Sequence, residues 1–287
     1  MAFLPERGGE ETRAAVEWLF SHELRCGRLE LHQRQAEALP PLSRRRIAAR
    51  LRRLAAGEPL QYVLGNTVFM GHPFKSDARA LIPRPETEEL TAQVLSCTPL
   101  WQRDAPVIAD VGTGRGCIII SLALAKPEGL YLAIDLDPQA LALAKENARR
   151  LGVEGRIRFS QGNLLEALPA ASLEAVISNP PYVSTSAWQQ LPTMIREHEP
   201  RLALDGGSDG LEVMRPLIVQ AARALKPGGW LFLEISAEQG PALRALLSQQ
   251  AFGDIILRRD LAGHERLVTA RRGVILRADL QGTSALG

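Results

Sequence analysis

Val107-Ile-Ala-Asp-Val-Gly-Thr-Gly-Arg-Gly116 is followed directly by the apolar run Cys117–Ala125. Five strand-forming residues, a turn with three glycines and then a helix make a β-turn-α unit. Glycines in such a turn let the backbone come close to a ligand, and the helix N-terminus adds a favourable field. The spacing is GxGxG, not the GxGxxG of dinucleotide folds. By itself it does not separate a ligand-binding turn from a tight strand-to-helix connection.

Downstream, the alternation continues. Leu130–Ile134 reads as a strand, and Asp137 with Pro138 starts a helix that runs to about Leu151. Arg156–Ser160 and Ala175–Ser178 read as strands, and Leu211–Leu225 as a helix closed by Lys226-Pro-Gly-Gly229. Trp230–Ile235 is a strand, Pro241–Gln250 a helix, and Ile255–Arg258 and Arg266–Ala270 are two last strands. Helices between strands imply right-handed crossovers and an α/β fold with a mostly parallel sheet. Only a short turn separates the last two strands, so they are expected to pair antiparallel at one edge. Upstream, residues 10–56 read as helical, with Ser43 as the N-cap of a helix that Gly57 stops. Residues 60–75 suggest a short hairpin, and the proline-rich Ile82–Glu86 leads into a helix with Pro85 in its first turn. The expected division is a helical substrate-docking domain (1–58), a hairpin linker (59–85), a catalytic domain (86–272) and a flexible tail (273–287).

Composition sets the outer bounds. The chain has 287 residues, 46% hydrophobic and 23% charged, with a formal net charge of +2. Those values suit a globular protein and argue against gross nucleic-acid affinity. Charge is uneven, however: residues 1–85 hold 14 Lys and Arg against 9 Asp and Glu, and the remainder holds 20 against 23. The helix carrying Arg44, Arg45, Arg46, Arg50, Arg52 and Arg53 presents a basic face, to solvent or to an acidic partner. Cys26, Cys97 and Cys117 are scattered and give no zinc signature, and the five histidines show no metal-ligand spacing, so no metal is expected. No apolar stretch reaches membrane-spanning length, and the first residues do not read as a secretory signal. A cytoplasmic enzyme is the expectation.

Several residues carry chemistry. Asp135 ends the second strand, 23 residues after Gly112. A carboxylate there can accept both hydroxyls of a ribose, whereas a helix cap is the plain structural alternative. Leu136 would flank an adenine. Gln161-Gly-Asn-Leu164 follows the third strand and could meet the base edge through Asn163 and its ring through Leu164; a simple turn is the alternative. No lysine or P-loop hydroxyl follows the glycines, so a triphosphate is poorly served and a neutral or cationic nucleoside such as S-adenosylmethionine fits better.

Asn179-Pro-Pro-Tyr182 lies at the C-terminal end of the fourth strand, where open α/β sheets bind ligands. Asn179 can accept through its side-chain oxygen. Pro181 restricts Pro180, which fixes the Pro180 carbonyl. Two acceptors can hold both hydrogens of a planar NH2 group and aim its nitrogen at a methyl donor, with Tyr182 packed on the substrate plane. Amide and exocyclic amine fit this clamp equally well. A Pro-Pro loop with a packed tyrosine is the structural alternative.

Taken together these residues resemble the class I, Rossmann-like methyltransferases that use S-adenosylmethionine. Further motifs narrow the likeness: Gly57-Glu-Pro-Leu-Gln-Tyr62, Phe69-Met-Gly-His-Pro-Phe74, Leu81-Ile-Pro-Arg-Pro-Glu-Thr-Glu88, Arg196-Glu-His-Glu-Pro-Arg-Leu-Ala-Leu204 and Asp209-Gly-Leu211. They resemble the HemK/PrmC family, N5-glutamine methyltransferases of peptide chain release factors, over roughly residues 12–271. The resemblance implies a small helical N-terminal domain beside the catalytic sheet. It implies a cofactor site lined by Gly112, Thr113, Gly114, Arg115, Gly116, Asp135, Leu164 and Asn179, with Asp110, Leu136 and Asn163 close by. It implies that Asn179, Pro180, Pro181 and Tyr182 hold the glutamine of a Gly-Gly-Gln motif in class 1 release factors, S-adenosylhomocysteine being the product. Stable nucleic-acid binding and membrane association are not expected.

The family has Asp where Asn163 stands and Gly where Ser236 stands. His198 and Glu197 are conceivable bases but read as members of the Arg196–Leu204 loop. Adenine N6-methylation of nucleic acid, ribosomal-protein glutamine methylation and a non-catalytic scaffold are the competing expectations. The first lacks a basic groove and a target-recognition insert. Residues 83–88 favour release factors over ribosomal protein. The intact turn and clamp weigh against a scaffold.

Overall fold

A computed structural model describes residues 9–34 and 36–273, so the expected tail lies, past Gly273, outside the described residues. The N-terminal part is helical: α1 (Gly9–Leu24), α2 (Arg28–Gln33), α3 (Pro41–Ala55) and α4 (Leu60–Leu64). Ala15, Leu19, Ile47, Leu54 and Val63 form its buried cluster. α3 starts earlier than the serine cap suggests. Pro41 occupies its first position behind Pro40, where a missing N–H costs nothing, and Ser43 lies inside the first turn. Gly57, at φ +85°, ends it as expected.

The hairpin is shorter than expected, because Leu60–Leu64 is a helical turn. Its strands are β1 (Asn66–Phe69) and β2 (His72–Lys75), paired antiparallel. Met70 and Gly71 both have positive φ (48° and 76°), the backbone of a two-residue turn whose twist matches the strands. Phe69 and Phe74 meet edge to face, ring centres 6.1 Å apart, and are buried in the main core with Leu90 and Val94. The hairpin is therefore packed into the body of the sheet domain.

α5 (Pro85–Leu95) begins with Pro85 at its first position, as its sequence implies, and α6 (Thr98–Trp101) leads to the sheet. Then follow β3 (Val107–Val111), α7 (Cys117–Ala125), β4 (Leu130–Asp135), α8 (Pro138–Arg150), β5 (Ile157–Gln161) and β6 (Leu173–Ser178). Two short helices, α9 (Thr185–Trp188) and α10 (Thr193–His198), precede α11 (Met214–Ala224), β7 (Leu225–Glu234), α12 (Gly240–Gln249), β8 (Phe252–Arg259) and β9 (Glu265–Arg272). The seven-stranded sheet has the order β5-β4-β3-β6-β7-β9-β8. Its first five strands are parallel, and β9 runs antiparallel to both β7 and β8, so the expected antiparallel edge is present. Lys226-Pro-Gly-Gly229 does not merely close a helix. Leu225 already pairs with Leu173, and the four residues bulge before Trp230 pairs with Ala175. α11 therefore ends at Ala224.

From β3 the chain runs outward through β4 and β5, then crosses back to place β6 on the other side of β3. Such a switch point opens a crevice at the carboxyl ends of the strands. Val111 pairs with Ser178, so the glycine turn and the Asn179 segment leave the sheet side by side. No helix among the described residues is long and apolar enough to cross a membrane.

Candidate active site

A cleft at this switch point is lined by Gly112, Thr113, Gly114, Asp135, Leu136, Asn163, Leu164, Asn179 and Pro181, with Pro83 and Thr87 on the other wall. The glycine turn and the Asn179 segment thus meet at one cleft, which Asn179 and Pro181 line and Pro180, Tyr182, Gly116 and Asp110 do not. Gly112 and Gly114 have φ of +70° and +56°, and a β-carbon at either would meet nothing closer than 3.8 Å. Their bare backbone faces open space, which leaves room for a ligand. Gly116 serves a different need. It caps α7 at φ +84°, and a β-carbon there would sit 2.7 Å from Ile120 and 3.2 Å from Ala144.

Asp135 holds this turn. One carboxylate oxygen accepts from the Gly114 N–H at 2.8 Å and the other from the Asp137 N–H at 3.0 Å. Each oxygen keeps a second lone pair for a ligand hydroxyl. Burial raises the Asp135 pKa, against the pull of those N–H groups. Asp110 lies behind the turn, fully buried, and accepts from the Thr113 hydroxyl at 2.7 Å. Its other oxygen has no partner. Burial first, and the nearby Asp135 charge as a smaller cause, push its carboxyl up to about 7.

A folded pKa above the unfolded value gives stability that is full at low pH and lost as pH rises through about 7. Asp110→Asn removes that dependence. Its stability relative to the parent should rise between pH 5 and pH 8 by about 2 kcal/mol. Chemical denaturation at the two pH values measures this, and an unchanged difference would refute it.

Arg115 contributes backbone to the cleft, but its side chain turns away. The buried guanidinium donates to the carbonyls of Leu81, Lys75 and Ala80 and stands 6.0 Å over the Tyr62 ring. It anchors the segment after the hairpin to the glycine turn. Leu164 adopts φ +54°, which presents it at the cleft floor. The Asn163 amide donates to Glu166 at 2.9 Å. Ser236 is not a cleft residue; its N–H is satisfied by Gln239, whose amide also donates to the carbonyls of Tyr182 and Gly210.

Next to the glycine turn, the Asn179 side-chain N–H donates to the Thr87 hydroxyl at 3.1 Å, and Thr87 donates to Glu234 at 2.7 Å. The Tyr182 hydroxyl donates to the other Glu234 oxygen at 3.2 Å. Glu234 is 1% exposed, and burial pushes its carboxyl up to about 7. Burial also raises the Tyr182 pKa. Neither Thr87 nor Glu234 was legible as a site residue: they lie 92 and 55 positions from Asn179, and the only local signal was Thr87 inside Pro-Arg-Pro-Glu-Thr-Glu. Glu199 was missed likewise. Buried, it accepts from the Ile82 N–H at 3.0 Å and from Arg84 at 2.6 Å, tying the Arg196–Leu204 loop to the wall before α5. His198 and Glu197 do not line the cleft.

The arrangement offers a carboxylate at the end of β4, bare glycine backbone at the end of β3 and a hydrogen-bonded amide at the end of β6. It suits a nucleoside-like ligand at the first two and a planar NH2 group at the third.

The PrmC N-terminal domain family matches residues 1–65, and the methyltransferase small domain family matches residues 91–208. The release factor glutamine methyltransferase of Moorella thermoacetica is 41% identical over 266 residues, covering 92% of this chain and 93% of that one. That of Geobacter sulfurreducens is 36% identical over 271 residues, 94% and 93% of the two chains. Among solved structures, a methyltransferase from Pyrococcus furiosus superposes with a TM-score of 0.52 at 17% identity, over 71% of this chain and 91% of that one. The hMettl16 catalytic domain, in complex with the MAT2A 3'UTR hairpin 6, gives 0.55 at 16% identity, over 79% and 81%. These two bear on the fold alone, and the fold is that of the class I methyltransferases.

Proposed function

Because this chain belongs to the release factor glutamine methyltransferase family, we propose that it methylates the side-chain amide nitrogen of the glutamine in the Gly-Gly-Gln motif of class 1 release factors, tuning translation termination. The observation that supports this most is the Asn179 amide, held in one orientation at the strand end beside the glycine turn. The methyl donor is S-adenosylmethionine, which supplies an electrophilic sulfonium methyl group. The residues present fit it. Gly112 and Gly114 leave room against the backbone, Asp135 offers carboxylate oxygens to the cleft, and the Arg115 guanidinium is turned away from it.

An amide nitrogen is a weak nucleophile, so positioning has to supply much of the rate. The Asn179 oxygen and the Pro180 carbonyl accept the two N–H groups of the substrate amide and stabilise the positive charge that develops on its nitrogen. Tyr182, fixed through its hydroxyl, packs on the amide plane. The nitrogen gains the methyl group and gives up one proton to water. Leu136 and Leu164 flank the adenine. Incubation with labelled donor and either whole release factor or duplex DNA tests this reading. Label in release factor supports it, and label in DNA instead supports adenine methylation.

The N-terminal domain, expected over residues 1–58, docks the rest of the substrate. Arg44, Arg45 and Arg52 are exposed on α3, whereas Arg46 and Arg50 pair with Glu23. Reversing Arg44 and Arg45 to glutamate is expected to raise KM for whole release factor about tenfold. The same change should leave methylation of a short Gly-Gly-Gln peptide unaltered. Unchanged kinetics on the whole protein would exclude this face.

A further inference from the structure

Glu234 ends β7, and its preceding neighbour Leu233 pairs with Ser178, which precedes Asn179. The hydrogen-bonded chain Asn179–Thr87–Glu234, whose last two members are buried, therefore crosses from one strand end to the next through α5. A hydroxyl has one proton to give. When Thr87 gives it to an ionised Glu234, it can only accept from Asn179. The amide must then turn its NH2 group toward Thr87 and leave its oxygen for the substrate. When Glu234 carries a proton the direction can reverse: the acid donates to Thr87, and Thr87 donates to the Asn179 oxygen. The amide then presents NH2, a donor, where the substrate needs an acceptor.

We propose that Glu234 is a positioning residue that acts through Thr87, its ionised form holding the Asn179 side-chain oxygen ready to accept from the substrate. This rests on the reading of Asn179 as the acceptor. The groups facing Glu234 are Thr87 and Glu86 from α5, Tyr182 from the loop after β6 and Arg266 from β9, the last also paired with Asp260. Burial is the largest influence and raises the Glu234 pKa to about 7; Glu86 acts in the same direction, and Thr87, Tyr182 and Arg266 oppose it. The switch therefore falls near neutral pH.

Two measurements on the full chain test it. With asparagine side chains labelled with 15N and glutamate carboxyls with 13C, the Asn179 NH2 resonances should titrate with the same midpoint as Glu234. In Thr87→Val the Asn179 response should vanish while Glu234 still titrates. An Asn179 signal that ignores the Glu234 titration overturns the proposal, whether or not release factor is methylated. In turnover, kcat should fall as pH drops through that midpoint. Glu234→Gln should lose this acid limb and about tenfold or more in kcat at pH 8, with cofactor affinity kept. Thr87→Ser should restore what Thr87→Val loses. A Glu234→Gln enzyme with parental kcat and its acid limb intact overturns the proposal, as does a fully active Thr87→Val.

Discussion

Replacing Asn179 by alanine is expected to lower turnover on release factor by about 100- to 1000-fold, the usual cost of removing one preorganised group that stabilises developing charge. Cofactor affinity should stay within about twofold. The reason for this split is geometric. The Asn179 side chain is held by Thr87, on the wall of the cleft formed by Pro83 and Thr87, and not by the glycine turn. Its loss leaves the Asp135–Gly114 bond and the Thr113–Asp110 bond intact. In the proposed clamp the Pro180 carbonyl would then hold one N–H of the substrate alone, and the nitrogen would be free to swing off line. Steady-state kinetics paired with calorimetry checks this. Equal losses in turnover and cofactor affinity would mean that Asn179 serves the cofactor and not the amide.

Asp135→Ala should show the reverse pattern. Its carboxylate is half-buried, carries two backbone N–H bonds and has lone pairs to spare for a ribose. A hydrogen bond to a charged group contributes about 1.5–3 kcal/mol, so cofactor affinity should fall about 100-fold. The Gly114 N–H also loses its partner, which loosens the turn that the cofactor approaches. At saturating cofactor kcat should fall far less, since no reacting atom touches Asp135. Asp135→Asn, which keeps one acceptor, should fall between the two. Calorimetry with S-adenosylmethionine or S-adenosylhomocysteine measures the affinity, and parental affinity in Asp135→Ala would remove the ribose role.

The parts of this site legible in the sequence were those with a local signature. Gly112, Gly114 and Gly116 stand out as three glycines between a strand-like and a helix-like run, and each takes up positive φ at that turn. The parallel sheet follows from strands separated by helices, and the antiparallel edge follows from the short turn between β8 and β9. Asn179-Pro-Pro-Tyr182 declares its own rigidity. What stayed hidden depends on contacts between distant segments. Thr87 and Glu234 meet only once α5 packs against the sheet, and no spacing relates positions 147 apart. Glu199 is a loop residue until Ile82 and Arg84 reach it. Arg115 is placed at the cofactor site by the family resemblance, yet three carbonyls of the segment before Ile82 take its side-chain donors. Pro227-Gly228-Gly229 reads as a stop, but the same residues suit a bulge that re-aims β7. In each case a local preference was compatible with two structures, and packing chose between them.

The substrate rests on the most direct measurement available: mass spectrometry of a class 1 release factor after incubation with this enzyme and S-adenosylmethionine. One added methyl group, mapped by fragmentation to the side chain of the Gly-Gly-Gln glutamine and absent with Asn179→Ala, is the expected result. A release factor that stays unmodified at that glutamine, under conditions where the enzyme binds the cofactor, would show that the clamp at Asn179 serves another NH2 group.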